Sequence, residues 1–192
     1  MKKILFLLAI AATSMANAQK GTYLVSGYFN YQTENNTNAG TTDYGYFGFS
    51  PKVGYQFSEN WSLGVETGVN SQKWENDNSY ENKRNNLAVG GFVRYSKPLN
   101  DSFSFFTDFG LGYLHRKETL QSELNSSNTK STGFYATLQP MIFLKVKSNF
   151  GINFGLGGIY FNSLENKDSN NTQNTFNINF GQAFTLGIQK NF

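Results

Sequence analysis

Residues 176–192 read FNINFGQAFTLGIQKNF, and their spacing decides the fold. In steps of two back from Phe192, one set is Phe192, Lys190, Ile188, Leu186, Phe184, Gln182, Phe180, Ile178 and Phe176. The other is Asn191, Gln189, Gly187, Thr185, Ala183, Gly181, Asn179 and Asn177. Successive strand residues point to opposite faces, so one face is greasy and the other small and polar. A strand with lipid on one side and a polar lumen on the other carries this pattern.

The same alternation recurs upstream, at about 22–32, 44–57, 61–73, 86–97, 102–116, 132–147 and 150–163, with the terminal strand covering about 175–192. In the second segment Phe47, Phe49, Val53 and Tyr55 oppose Gly48, Ser50, Lys52 and Gly54. In the seventh, Phe150, Ile152, Phe154, Leu156 and Tyr160 oppose Gly151, Asn153, Gly155 and Gly157. Each segment reaches the roughly 10 residues that a tilted strand needs to cross a bilayer. Tight turns (Ser58-Glu59-Asn60, Pro98-Leu99-Asn100-Asp101 and Ser148-Asn149) alternate with long polar connections at about 33–43, 74–85, 117–131 and 164–174. Short turns at one end and long loops at the other predict an all-β protein, an eight-stranded antiparallel up-and-down transmembrane β-barrel. Its short turns are periplasmic and its four polar loops extracellular.

The start of the chain points to the same compartment. Lys2 and Lys3 precede an apolar run over 4–12, and Ala16-Asn17-Ala18 forms a cleavage site. This predicts a cleaved signal peptide over 1–18 and a barrel domain over 19–192, because the apolar run is too short for a helical span of about 20 residues. The full chain has 16 basic and 13 acidic residues; without the two leader lysines 14 face 13. The mature protein is therefore nearly neutral, and no basic cluster marks a nucleic-acid partner. Cysteine is absent, so neither disulfides nor thiol chemistry is available. Aromatic residues reach 17% while charged residues stay at 15%. Mean hydropathy is still −0.46. A membrane barrel reconciles these values, since only every second strand residue meets lipid.

A soluble β-sandwich also alternates. Two features favour the barrel. The inward face is crowded with Gly, Ser and Thr, as a narrow closed cylinder requires. Aromatics also collect at the strand ends: Phe57, Trp61, Phe103, Phe150 and Phe192 near the short turns, and Tyr31, Tyr44, Trp74, Tyr113 and Tyr160 near the loops. These form two expected interfacial girdles.

The whole mature chain resembles the small OmpA/OmpX-like outer-membrane β-barrel family. Phe49-Ser50-Pro51-Lys52-Val53-Gly54-Tyr55 leading into Asn60-Trp61-Ser62-Leu63-Gly64-Val65 is similar to that family's second hairpin. Gly91-Phe92-Val93-Arg94-Tyr95 before Lys97-Pro98-Leu99 is similar to its fourth strand and turn. The resemblance implies a place in the outer membrane of a Gram-negative bacterium. It implies outer-membrane lipids and lipopolysaccharide as neighbours, and Phe192 as the insertion signal read by the barrel assembly machinery. The family has no single activity. Lys190 departs from the apolar pattern and is expected to snorkel.

Five charges fall on the inward parity: Lys52, Glu66, Arg94, Asp108 and Lys145. A narrow barrel is filled by side chains, and a buried charge must be paired, so these predict a lumen salt-bridge network. A gated narrow pore or a ligand site is the sharper alternative. His115 is the single histidine and falls on the outward parity. Small barrel enzymes acting on outer-membrane lipids exist, and the lipid-A deacylase type carries His-x-Ser. Here the residues are His115-Arg116-Lys117, without a nucleophile and orienting acid. No metal-ligand constellation, phosphate loop or cofactor motif is present, and acidic residues such as Glu75, Asp77 and Glu81 read as a solvated loop. The expected role is structural or interactive, with polar loops offered to an extracellular partner. A porin-like channel stands second, and a lipid-modifying enzyme third.

Overall fold

The computed structural model describes residues 21–34, 42–76, 80–122, 125–147, 150–181 and 185–192. The leader, the turn at 148–149 and residues 182–184 of the terminal strand lie outside the described residues. Ten β-segments are present: β1 (Tyr23–Glu34), β2 (Thr42–Gln56), β3 (Trp61–Asn76), β4 (Glu81–Pro98), β5 (Phe103–Gln121), β6 (Ser126–Lys147), β7 (Phe150–Gly155), β8 (Ile159–Asn166), β9 (Thr172–Ile178) and β10 (Thr185–Asn191). They make eight antiparallel staves, because β7 with β8 and β9 with β10 are each one stave in two pieces. β1 to β6 pair in chain order, β6 pairs with β7 and β8, and β7 pairs with β10. β10 returns to β1 and closes the cylinder. At the rim Tyr23 and Phe192 exchange backbone hydrogen bonds of 3.2 and 2.8 Å.

The alternation read from the sequence becomes an inside and an outside. Val65, Val89, Leu111, Leu186 and Ile188 face outward and are exposed, whereas Leu24, Phe92, Phe106, Met141 and Phe143 fill the lumen. Phe92 lies against Gly54 and Gly64, and a Cβ on Gly64 would strike both the Phe92 ring and the Val53 carbonyl. Small inward residues are thus the space into which the large inward ones reach.

Two expectations need correction. The seventh stave is not one regular strand. Gly155 pairs with Met141 and Ile159 with Leu138, so three residues, 156–158, face the two at 139–140. This β-bulge holds Gly157 at φ +86°, a backbone region closed to most side chains. It sits opposite Pro140, which has no N–H to give to the neighbouring stave, while its carbonyl accepts from Leu156 N at 3.1 Å. The extra residue reverses the parity, so Tyr160 faces the lumen beside Thr137 rather than lipid. The terminal stave is also interrupted, with a turn through Gly181 at φ +74°.

Second, two of the expected loops are largely strand. β3–β4 pairing continues to Glu75 opposite Glu81, and β5–β6 pairing to Gln121 opposite Ser126. β5 and β6 run for 19 and 22 residues, about twice the roughly 10 needed to cross a bilayer. Their apolar outward positions stop at Tyr113 and Phe134, so the remainder projects beyond the apolar belt as a paired ribbon.

Closure differs along the axis. β1 joins β10 over residues 24–28 opposite 187–191. Beyond Tyr28, β1 pairs with β2 alone, and β9 pairs with β8 alone. Among the described residues the seam is therefore bonded at the short-turn end and unbonded at the loop end.

Candidate functional site

Four of the five inward charges meet at the waist of the barrel. Lys52 on β2, Glu66 on β3, Arg94 on β4 and Asp108 on β5 lie on adjacent staves in register, Lys52 opposite Glu66 and Arg94 opposite Asp108. Pairing geometry alone therefore brings acid to base. Lys52 Nζ lies 2.7 Å from Glu66 Oε2 and 3.1 Å from Asp108 Oδ2. Arg94 grips Asp108 with two bonds, Nε to Oδ1 at 2.6 Å and Nη2 to Oδ2 at 2.9 Å. Asp108 is fully buried and Arg94 is 1% exposed. Two cations and two anions leave the group neutral, the condition under which charges tolerate burial.

Neutral partners complete the network. Tyr135 Oη donates to Glu66 Oε1 at 2.7 Å. Arg94 Nη1 donates to Gln189 Oε1 at 2.6 Å, which ties β4 across the lumen to β10. The Arg94 guanidinium also stacks 3.8 Å from the centre of the Phe106 ring. Tyr28 Oη donates to the Met141 sulfur beside this core. Tyr135, Gln189 and Phe106 carry no charge, so the charge pattern does not single them out, although all three lie on the inward parity of their strands.

The network divides the interior. A cavity of about 360 Å³ lies toward the loop end, with Lys52, Glu66, Tyr135 and Asn70 in its wall. A second, of about 180 Å³, lies toward the short turns, with Arg94, Ser62 and Gln189 in its wall. Asp108, bonded to both Lys52 and Arg94, stands between them.

Lys145 does not join. It keeps the inward parity of β6 but lies at the strand's end and is exposed, near the bulge between Lys145 and Lys147. Water solvates it there, so it needs no partner. Trp74 is likewise not a lipid-facing girdle residue. It shares the inward parity of Glu66, eight residues along β3, and its ring lies 5.3 Å from the Arg84 guanidinium and 5.5 Å from Tyr44. Tyr44, opposite Trp74, shares that inward parity, and Tyr160 faces the lumen. Phe57, Trp61, Phe103, Phe150 and Tyr113 stand exposed on the outer wall, and Trp61 meets Tyr95 edge-on at 5.1 Å. Phe192 is exposed, with the Lys190 ammonium 4.7 Å from its ring centre. His115 lies between Leu87 and Thr132 on the outer wall.

Above the waist a second polar ladder lines the mouth. Glu118 accepts from Asn82 Nδ2 and Arg84 Nη2, both at 3.1 Å. Arg116 Nε donates to Asn86 Oδ1 at 2.9 Å, and Asn86 donates to Asn70 at 2.6 Å. Among the described residues no group of three His, Asp or Glu side chains is placed to hold a metal ion.

The fold is similar to that of solved barrels. One is a major outer membrane protein from Thermus thermophilus, with 12% identity, coverage of 91% of this chain and all of that one, and a TM-score of 0.57. Another is Ail, the attachment invasion locus protein of Yersinia pestis, solved with the heparin analogue sucrose octasulfate. It shows 15% identity, coverage of 90% of this chain and 98% of that one, and a TM-score of 0.52. Among curated proteins none matches this chain at a significant level. The model of the outer membrane protein beta-barrel domain matches residues 4–184. The chain therefore belongs to the outer membrane protein β-barrel family, and it is an integral protein of the Gram-negative outer membrane.

Proposed function

We propose that this protein is a non-enzymatic surface-interaction barrel that holds polar extracellular elements for a partner outside the cell. The observation that carries the reading is the length of β5 and β6. Strands of 19 and 22 residues spend about half their length beyond the bilayer. Crossing the bilayer does not require such a ribbon, whereas a recognition platform uses one. The solved complex of Ail with a heparin analogue gives an example of the fold engaged with a sulfated ligand. The four polar connections become, in this reading, two short hairpin tips on the projecting ribbons and two further loops. Phe192 serves as the signal for insertion, and Phe192→Lys should lower the amount of heat-modifiable barrel in the outer-membrane fraction.

The test is to shorten the ribbon. Replacing residues 117–130 by a short turn should leave a heat-modifiable barrel and abolish attachment of expressing cells to immobilised heparin and extracellular matrix. Attachment equal to that of the intact protein would overturn the reading. A narrow channel is the second reading, favoured by the cavities on either side of the ion network. Stepwise conductance in planar bilayers that changes in Glu66→Ala would favour it; equal silence of both proteins would end it.

A further inference from the structure

The outer wall carries a group of lysines that the lumen network does not use. On β4, β5 and β6 the outward apolar positions end at Leu87, Tyr113 and Phe134. Four residues further toward the extracellular end stand Lys83, Lys117 and Lys130, all exposed and all on the same outward parity. Four residues of strand advance about 13 Å, or roughly 10 Å in height for a strand tilted near 40°. The three therefore sit just above the apolar belt, Lys117 and Lys130 in register and Lys83, opposite Thr119, two residues further out.

Their register places them together. Lys117 is directly opposite Lys130, and Lys83 is the diagonal neighbour of Lys117 because Asn85 opposes Lys117. Directly opposed like charges destabilise a sheet, so this arrangement calls for an anion. The described residues do not supply one within bonding distance. Among the described residues none of the three ammonium groups has an ion-pair or hydrogen-bond partner. Lys73, on the same outer face, is by contrast held by Glu75 at 2.6 Å and Glu81 at 3.1 Å. Glu165 lies diagonal to Lys130 on β8, but it forms no ion pair with it. On the side of the β1–β2 wall the outermost outward-facing charge is the acidic Asp43.

We propose that Lys83, Lys117 and Lys130 form a docking site for the phosphate groups of the glycolipid in the outer leaflet. The acyl chains of that lipid would lie along the column of Leu87, Val89, Leu111, Tyr113 and Phe134, and its phosphates would meet the lysines. The charge is complementary, the height matches a headgroup above an apolar belt, and exposed lysines near such a surface add attraction that salt screens. The inference rests on the outer-membrane placement of the chain.

The test uses the full mature barrel refolded in nanodiscs of zwitterionic phospholipid. These are doped with bisphosphorylated, monophosphorylated or dephosphorylated lipid A, and retained lipid is read by native mass spectrometry. Wild type should retain the bisphosphorylated form about tenfold or more over the dephosphorylated one, and added salt should erode that preference. K83Q/K117Q/K130Q should lose it, whereas K97Q/K147Q, at the periplasmic end, should keep it. Equal retention of all three lipids by wild type, or an unchanged preference in the triple variant, would overturn the proposal. K117Q alone removes the central charge and should weaken the preference if the triple variant refolds poorly. Outer-membrane fractionation of the triple variant tests the placement separately from the lysines.

Discussion

Two arginine–carboxylate pairs, Arg94–Asp108 and Arg84–Glu118, lie on the same two staves, on the same inward parity, ten residues apart along each strand. At the waist, the side chains of Arg94 and Asp108 are 2% and 0% exposed and joined by two hydrogen bonds. In the mouth, Arg84 and Glu118 are 31% and 25% exposed and joined by one bond of 3.1 Å. The mouth also leaves buried polar atoms, Arg84 Nε and Asn82 Oδ1, without a partner in the protein. Register makes both pairs, but water decides what each does. In the dry lumen an ion pair is obligatory, since either partner alone would be an uncompensated charge. In the wet mouth it is adjustable, and its groups remain available to a ligand or to water. The barrel is thus a locked waist beneath a compliant rim, and among the described residues the β1–β10 seam follows the same division by bonding at the lower end alone.

The largest break should come at the waist. Asp108→Ala leaves Arg94 and Lys52 with a single carboxylate between them, and should cost about 3–5 kcal/mol. Urea unfolding in lipid vesicles, followed by the heat-modifiable gel shift, measures this. A midpoint within error of wild type would mean that water enters the waist and that the two regions do not differ.

The double replacement Arg94→Met with Asp108→Leu sharpens the point. It removes both charges and leaves Lys52 with Glu66 and Tyr135. Replacing a buried pair by apolar groups of similar volume is often nearly neutral. The double variant should therefore unfold at a clearly higher urea concentration than Asp108→Ala. Equal losses would show that packing against Phe106, not charge compensation, sets the cost.

The division between waist and rim also explains what could be read in advance. Lipid forces outward residues to be apolar, so the alternation was legible wherever a stave crosses the membrane, and with it the inward parity of Lys52, Glu66, Arg94 and Asp108. Above the membrane both faces are wet and the hydropathy period vanishes. Residues 81–85 and 117–121 therefore looked like loop although they are paired strand. Trp74 reads as a girdle residue by type alone, but its parity with Glu66 places it inside. Tyr160 escapes the pattern through a single inserted residue, because parity carried across Leu156-Gly157-Gly158 without the bulge points the ring the wrong way. Tyr135 and Gln189 carry no charge, and nothing in the pattern separates them from other polar lumen residues until distances are known.

At the rim the corresponding change should be small. Glu118→Gln keeps the shape of the site and removes one charge from a partly exposed pair, so its effect should stay within about 1 kcal/mol. Its dependence on pH gives the finer reading. Burial by itself would raise the Glu118 carboxyl. The hydrogen bonds from Asn82 and Arg84 and the charges of Arg84 and Arg116 outweigh it and hold the carboxyl below its ordinary 4.5. A carboxylate depressed in the folded state adds stability that is present in full above the unfolded value. That contribution fades as pH falls through the folded one. The gap between wild type and Glu118→Gln should accordingly be level above about pH 5 and close progressively below pH 4.5. Measuring the difference between the two proteins cancels the other carboxylates. Added salt should narrow the gap as well, because the rim is open to ions. The gap between wild type and Asp108→Ala, by contrast, should resist salt. If salt narrowed both gaps alike, the waist and the rim would share one solvent, and the contrast between them would fail.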